Sequence, residues 1–249
     1  QLLPCDFDAV INGANFNFEV DFYDPSGVGF NAGTPAATAA RNVVCQVLTD
    51  LSFMLDASPN CNGSPPTLRI QIQPSMSSWS PMGYVLGMAS AYYYNYSTPN
   101  GTKPGYVHNS VWRTINGGED PTSYPFVNGD SFYHGFMRFN FHPNINWNFD
   151  MTNTTWTNTF NYPDFYQVVL HEVTHMLGIS SLIAENGASK FQPIAGGYTP
   201  PGTGLYTRYD KYLHHNFNLP VPSPLLNNTD NCYNITFTPP ATDLIEDCY

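Results

Sequence analysis

Two histidines stand four residues apart, His171 and His175, with Glu172 directly after the first. On an α-helix this spacing puts both imidazoles on one face, about one turn apart, where both can reach a single cation. A carboxylate beside them can polarise a water on that cation and accept its proton. The chemistry is hydrolysis. A divalent metal such as Zn2+ lowers the pKa of its water, and Glu172 acts as general base and hands the proton to the leaving group. With 7 histidines in 249 residues, His, Glu and His take these positions by chance on the order of four times in a thousand such chains. That rate weighs against the plain alternative, a surface helix with two solvated histidines.

Two histidines do not complete a catalytic zinc site, which takes three protein ligands and a water. Ser181, three residues beyond Gly178, is a poor ligand, so the third must lie elsewhere. The stretch Tyr206-Thr207-Arg208-Tyr209-Asp210-Lys211-Tyr212-Leu213-His214-His215 holds three candidates, Asp210, His214 and His215. In a helix from Arg208, Asp210 and His214 are four apart, so one can bind metal while the other orients it. Thr207 with Asp210 also fits a capping box, and the histidine pair also suits a helix end. Glu185 and Glu246 are more distant candidates. His108, His134 and His142 sit in or near loops and strands and read as hydrogen-bonded structural residues. Tyr209 or Tyr212 could lend a phenol to an oxyanion.

The residues around the motif resemble a known group. His171-Glu172-x-x-His175-x-x-Gly178 is similar to the signature of metzincin-type zinc endopeptidases. His175-Met176-Leu177-Gly178-Ile179-Ser180-Ser181 resembles the leishmanolysin-like branch, with its remote third histidine. Gly135-Phe136-Met137-Arg138-Phe139-Asn140, Trp147, Asp150 and Asp164-Phe165-Tyr166 are similar to secreted microbial relatives. Val85-Leu86-Gly87-Met88-Ala89 resembles the edge strand that binds substrate in such enzymes, which implies substrate contacts at Gly87 and Ala89. The resemblance covers roughly residues 80 to 215. It implies a zincin-like fold: a mixed twisted sheet with an antiparallel edge strand, a long backing helix, an active-site helix and a loop-rich C-terminal subdomain. Two departures stand out. Arg208 occupies the place of the family's third histidine, which makes Asp210 the first choice with His214 and His215 in contention. No methionine follows Met176, so the family's Met-turn is missing.

The elements that must position these residues are legible as an α+β pattern. Phe16 to Phe22 alternates as a half-buried strand, as do Leu68-Arg69-Ile70-Gln71-Ile72 and Phe136 to Phe141, and Val85 to Tyr94 reads as another. Thr34-Pro35 opens a helix with an apolar face of Val43, Val44, Val47, Leu48, Leu51, Met54 and Leu55. The motif helix starts near Pro163-Asp164 and ends at Gly178. The chain is expected to form one catalytic unit, with residues 1–178 as an N-terminal lobe, 179–249 as a loop-rich C-terminal lobe, and the cleft between them as the site.

Composition bounds the partners. Hydrophobic residues make up 42% and aromatics 15%, enough for a core, while a net charge of -11 from 8 basic and 19 acidic residues disfavours nucleic acid and anionic membranes. No stretch is apolar enough to span a bilayer. Six Asn-x-Ser/Thr sequons, at Asn62, Asn95, Asn100, Asn153, Asn227 and Asn234, suit N-linked glycans. The five cysteines, Cys5, Cys45, Cys61, Cys232 and Cys248, contain no C-x-x-C pair and read as disulfides. Cys232 with Cys248 and Cys45 with Cys61 are plausible bridges, leaving one cysteine over. A chain beginning at Gln1 reads as a mature product of secretion or the cell surface. The expected function is a secreted zinc-dependent endopeptidase acting on peptide or protein. A weak or inactive zincin-fold surface glycoprotein acting in binding, and a zinc hydrolase of non-peptide substrates, are the alternatives.

Overall fold

A computed structural model describes residues 8–13, 15–55, 64–78, 83–94, 106–117, 133–152, 162–181, 206–207, 209, 213–215, 220–221 and 235–237. All six sequon asparagines, Cys5, Cys61, Cys232, Cys248, Glu185, Arg208, Asp210, Tyr212 and Glu246 lie outside them.

The strands are β1 (Asp8–Asn12), β2 (Asn17–Phe22), β3 (Thr67–Ser75), β4 (Gly87–Ala91), β5 (Tyr93–Tyr94), β6 (Tyr106–Asn109) and β7 (Gly135–Asn140). The helices are α1 (Pro35–Met54), α2 (Ser110–Gly117) and α3 (Phe165–Met176). Short strands β8 (Tyr206–Thr207), β9 (Leu213–His215), β10 (Pro220–Val221) and β11 (Ile235–Phe237) follow. Five strands form the main sheet in the order β1-β2-β3-β7-β4. Its centre, β2-β3-β7, is parallel, and β1 and β4 are antiparallel to their neighbours. The molecule is therefore α+β with a mixed sheet. Among the described residues no helix is long and apolar enough to cross a membrane.

The alternation seen in sequence sets the two faces of this sheet. Phe18, Val20 and Phe22 pair with Leu68, Ile70 and Ile72, and Ile72 pairs with Met137; all are buried. The intervening residues make a polar face, where Arg69 pairs with Glu19 at 2.7 Å and Arg138 donates to Gln73 at 2.8 Å. Helix α1 covers the apolar face with Val43, Val44, Val47, Leu48 and Leu51 buried. Thr34 caps it by accepting from the Ala37 N–H at 3.1 Å, with Pro35 in the first turn. Of the expected stripe only Met54 departs, 76% exposed at the helix end, while Leu55 at the C-cap packs against the core.

Two other expectations need correction. The strand expected from Val85 to Tyr94 begins at Gly87 and breaks at Tyr92, where the chain changes sheets. The Tyr92 N–H still bonds the His134 carbonyl of the main sheet, while its own carbonyl accepts from Ser110 at the start of α2. The helix expected from Arg208 does not run through His214, because Leu213–His215 is a strand paired with both β10 and β11. Asp210 and His214 thus do not share a helical face.

Candidate metal site on helix α3

Helix α3 is nailed down at its start. Asp164 accepts from the Gln167 N–H at 3.1 Å as N-cap, and the Phe165 N–H bonds the Asn148 carbonyl at 2.9 Å. Phe165 is buried among the rings of Trp147, Phe149, Phe139 and Phe141, with centroids 4.8 to 6.1 Å away. Tyr166 donates its phenol to Asp50 of α1 at 2.7 Å. Burial, then the Asp50 carboxylate, pushes that phenol up to about 12.

The helix end is equally defined. Gly178 has φ +102°, the left-handed geometry that glycine takes without penalty. The Gly178 N–H bonds the His175 carbonyl and the Ile179 N–H bonds the Thr174 carbonyl, both at 3.0 Å, which is a Schellman motif. A Cβ at Gly178 would collide with the side-chain amide of Asn109, whose oxygen caps α2 through the Trp112 N–H.

That terminal turn reaches the site. It folds the Ile179 carbonyl back to 2.9 Å from Nδ1 of His175. A carbonyl oxygen only accepts, so Nδ1 carries the proton and Nε2 of a neutral His175 presents its lone pair. Nε2 of His171 lies 3.0 Å from Nε2 of His175, with the rings nearly perpendicular at 88°. Two nitrogens each about 2.05 Å from a tetrahedral zinc ion stand about 3.3 Å apart. The pair therefore fits a shared metal ion, with a backbone carbonyl orienting one ligand as is usual at such sites.

Glu172 lies on the other side of this pair. It falls in the buried stripe of α3 with Phe165, Val169, Val173 and Met176, and is 6% exposed. Packing alone would place an apolar residue there. Among the described residues nothing donates a hydrogen bond to its carboxylate. Desolvation by burial raises its pKa, while His171 and His175 pull the other way. A carboxylate held this way is primed to take a proton.

The stripe rests on small residues of the sheet. A Cβ at Gly135 of β7 would lie 2.7 Å from Cγ of Met176, and one at Gly87 of β4 would lie 2.8 Å from Cγ of Glu172. A cleft of about 630 Å3 opens beside the site. Leu86, Gly87, Gln167, Val168, Leu170, His171, Glu172 and Thr174 line it. Its described walls are thus β4, its lead-in and α3.

Strand β4 offers that cleft an unpaired edge. The Asn140 N–H bonds the Leu86 carbonyl and the Tyr92 N–H bonds the His134 carbonyl, both at 2.9 Å. In an antiparallel pair the hydrogen-bonded residues alternate. The even-numbered residues of β4 therefore bond to β7, and the N–H and C=O groups of Gly87 and Ala89 point away from it. No described strand pairs with that side.

The structure thus brings together His171, Glu172, His175, Gly87 and, nearby, Ala89. For His214 and His215 it places only the backbone, in β9. His134 is buried and accepts at Nδ1 from the Arg69 N–H, and His142 accepts from the Asn144 N–H. Both are structural. Cys45 is disulfide-bonded. Sequence reading missed Ile179 as the partner of His175, although a glycine three residues past the second histidine was the available signal. Among the described residues no third His, Cys, Asp or Glu joins the pair. No protein-family model, no curated protein and no solved structure matches this chain.

Proposed function

We propose that the chain is a zinc-dependent endopeptidase of zincin-like, metzincin-type architecture that works outside the cell. The observation that carries this reading is the 3.0 Å convergence of two Nε2 atoms beside a buried glutamate whose carboxylate, among the described residues, receives no hydrogen bond. A bound zinc ion would polarise the scissile carbonyl and acidify a water. His171 and His175 would hold it through Nε2, the latter oriented by the Ile179 carbonyl. Glu172 takes the proton from the water and delivers it to the departing amine. An extended peptide adds to β4 through the N–H and C=O groups of Gly87 and Ala89, which sets its backbone along the cleft.

The third ligand is assigned to the segment after β8, with Asp210 first and His214 and His215 as alternatives. Thr207 is buried, and its hydroxyl bonds the Ser180 carbonyl at 3.2 Å. Thr207 therefore lies beside the C-terminal end of α3, and a residue three positions along the chain is at most about 10 Å from it. Secretion and N-linked glycans are supported by the six sequons and by Cys45. The acidic balance leaves nucleic acid outside the expected partners.

The test is metal content by mass spectrometry together with cleavage of a denatured protein. The expected result is one zinc per chain and cleavage that a chelator abolishes and Glu172→Ala removes. Tight zinc without cleavage of any peptide would transfer the argument to a binding protein. Absence of zinc would end it.

A further inference from the structure

We propose that Gly87 is a positioning residue for Glu172. Its missing side chain is the space the carboxylate occupies, so the glycine fixes where the general base stands. The inference rests on the catalytic reading of Glu172 given above.

The three heavy atoms nearest to a Cβ built at Gly87 all belong to Glu172: Cγ at 2.8 Å, Oε1 at 2.9 Å and Cδ at 3.0 Å. Ordinary carbon–carbon contact is about 3.5 to 4.0 Å. Any side chain here would therefore move the carboxylate by more than half an ångström, on the order of the tolerance for a catalytic group. The backbone does not itself require glycine at this position. Gly87 is a regular strand residue paired with Phe139, and it is not among the glycines with positive φ. Nor does the packing of α3 on β4 in general forbid a methyl group. Ala89 and Ala91 project on the same side of the strand as position 87 and carry one. Along β4 the methyl is excluded where the glutamate lies. The closest approaches are to Glu172 and not to His171 or His175, so the carboxylate is the first group a methyl displaces.

The test is a double-mutant cycle on the full, zinc-loaded chain: wild type, Gly87→Ala, Glu172→Ala and the double variant. Zinc stoichiometry, thermal midpoint and turnover of a denatured protein are measured for each. Gly87→Ala is expected to keep its zinc, to lose several degrees of thermal midpoint, and to lose at least tenfold in kcat with KM within twofold. In the Glu172→Ala background the same change is expected to move the midpoint by less than one degree, because the atoms it meets are gone. Equal loss of midpoint in both backgrounds would overturn the proposal, as would turnover within twofold of wild type. If Gly87→Ala fails to fold, folding of the double variant supports the proposal and its failure overturns it. A wild type without turnover would refute the endopeptidase reading, and the thermal cycle would still decide whether Gly87 positions Glu172.

Discussion

Replacing Glu172 by glutamine should make the metal-free protein more stable and the metal-loaded protein inactive. Glu172 is 6% exposed as a residue and borders the cleft, and among the described residues its carboxylate receives no hydrogen bond. The amide is nearly isosteric, so the core stripe keeps its volume and only the charge is removed. An amide left without partners carries the ordinary cost of an unpaired polar group and a charged group costs more, so only the excess borne by the charge is relieved, and a gain on the order of 1 kcal/mol is expected at pH 8. For a chain of this size that is a rise of roughly 2 to 4 °C in thermal midpoint. The sign of its pH dependence follows from the raised pKa of Glu172 in the folded state. Between the unfolded and the folded pKa the folded chain binds the extra proton. Wild-type stability is thus favoured below that window and lost as pH rises through it. Glutamine does not titrate, so its advantage is full above the folded pKa and vanishes below the ordinary glutamate range. Thermal melts of chelator-treated wild type and Glu172→Gln across pH 4 to 8 measure this directly. Loss of a general base should meanwhile lower kcat by about 100- to 10,000-fold with zinc. A destabilised Glu172→Gln at pH 8, or a difference that does not change with pH, would refute the claim that burial makes the charge of Glu172 costly.

Other perturbations test the parts around it. His175→Ala should weaken zinc binding by more than about 100-fold, beyond the effect usual for an outer partner, as read by competition with a chromogenic chelator. Gly178→Ala forces a left-handed residue against Asn109. It should cost more than about 1 kcal/mol in a denaturant melt and also lower zinc affinity, because the turn that carries the Ile179 carbonyl to His175 is lost. Tyr166→Phe removes the α3–α1 hydrogen bond and should cost about 1 kcal/mol. Because the phenol is held up to about 12 by burial and Asp50, that contribution should persist to about pH 10 and be lost as pH rises further.

What the sequence reveals and what it hides divide along the reach of the physics. The alternation in β2, β3 and β7 is a local pattern with period two, and it located β2 and β7 within a residue and the start of β3, which runs three residues past Ile72 to Ser75. Thr34-Pro35 and Asp164 are chemical signals for helix starts, and both act as caps. The histidine spacing gave the pair because four residues of helix fix it without help from the rest of the fold. Strand β1 was missed because Asp8 to Asn12 is short and its partner, β2, makes it a strand. Tyr92 interrupts an apolar run for a tertiary reason, the handover from β7 to α2, that no local pattern carries. Leu213–His215 shows strand pairing overriding a helix-end composition. Gly87 did carry a signal. A glycine inside a strand marks a close approach, but which group approaches depends on the docking of α3.

The order of residues in the motif also dictates which side of the histidines the sheet edge must occupy. Successive helical residues are rotated by about 100°, so His175 lies about 40° round the axis from His171, and Glu172 about 100° round in the same sense. The carboxylate therefore flanks the imidazole pair on one side only. In this fold that side is turned to the sheet, because position 172 shares a stripe with Phe165, Val169, Val173 and Met176. Strand β4 ends the sheet just there, with Gly87 against the carboxylate. A peptide added to the outer edge of β4 would run beside Glu172 and within reach of an ion that the imidazoles would hold on the proposed reading. The same motif with its glutamate before the first histidine would put the carboxylate on the far side of the pair, away from β4. On the proposed reading the cost of burying Glu172 is the cost of bringing base, metal ligands and strand edge to one line, and a hydrogen bond from the sheet that relieved it would tie up the group that accepts the proton.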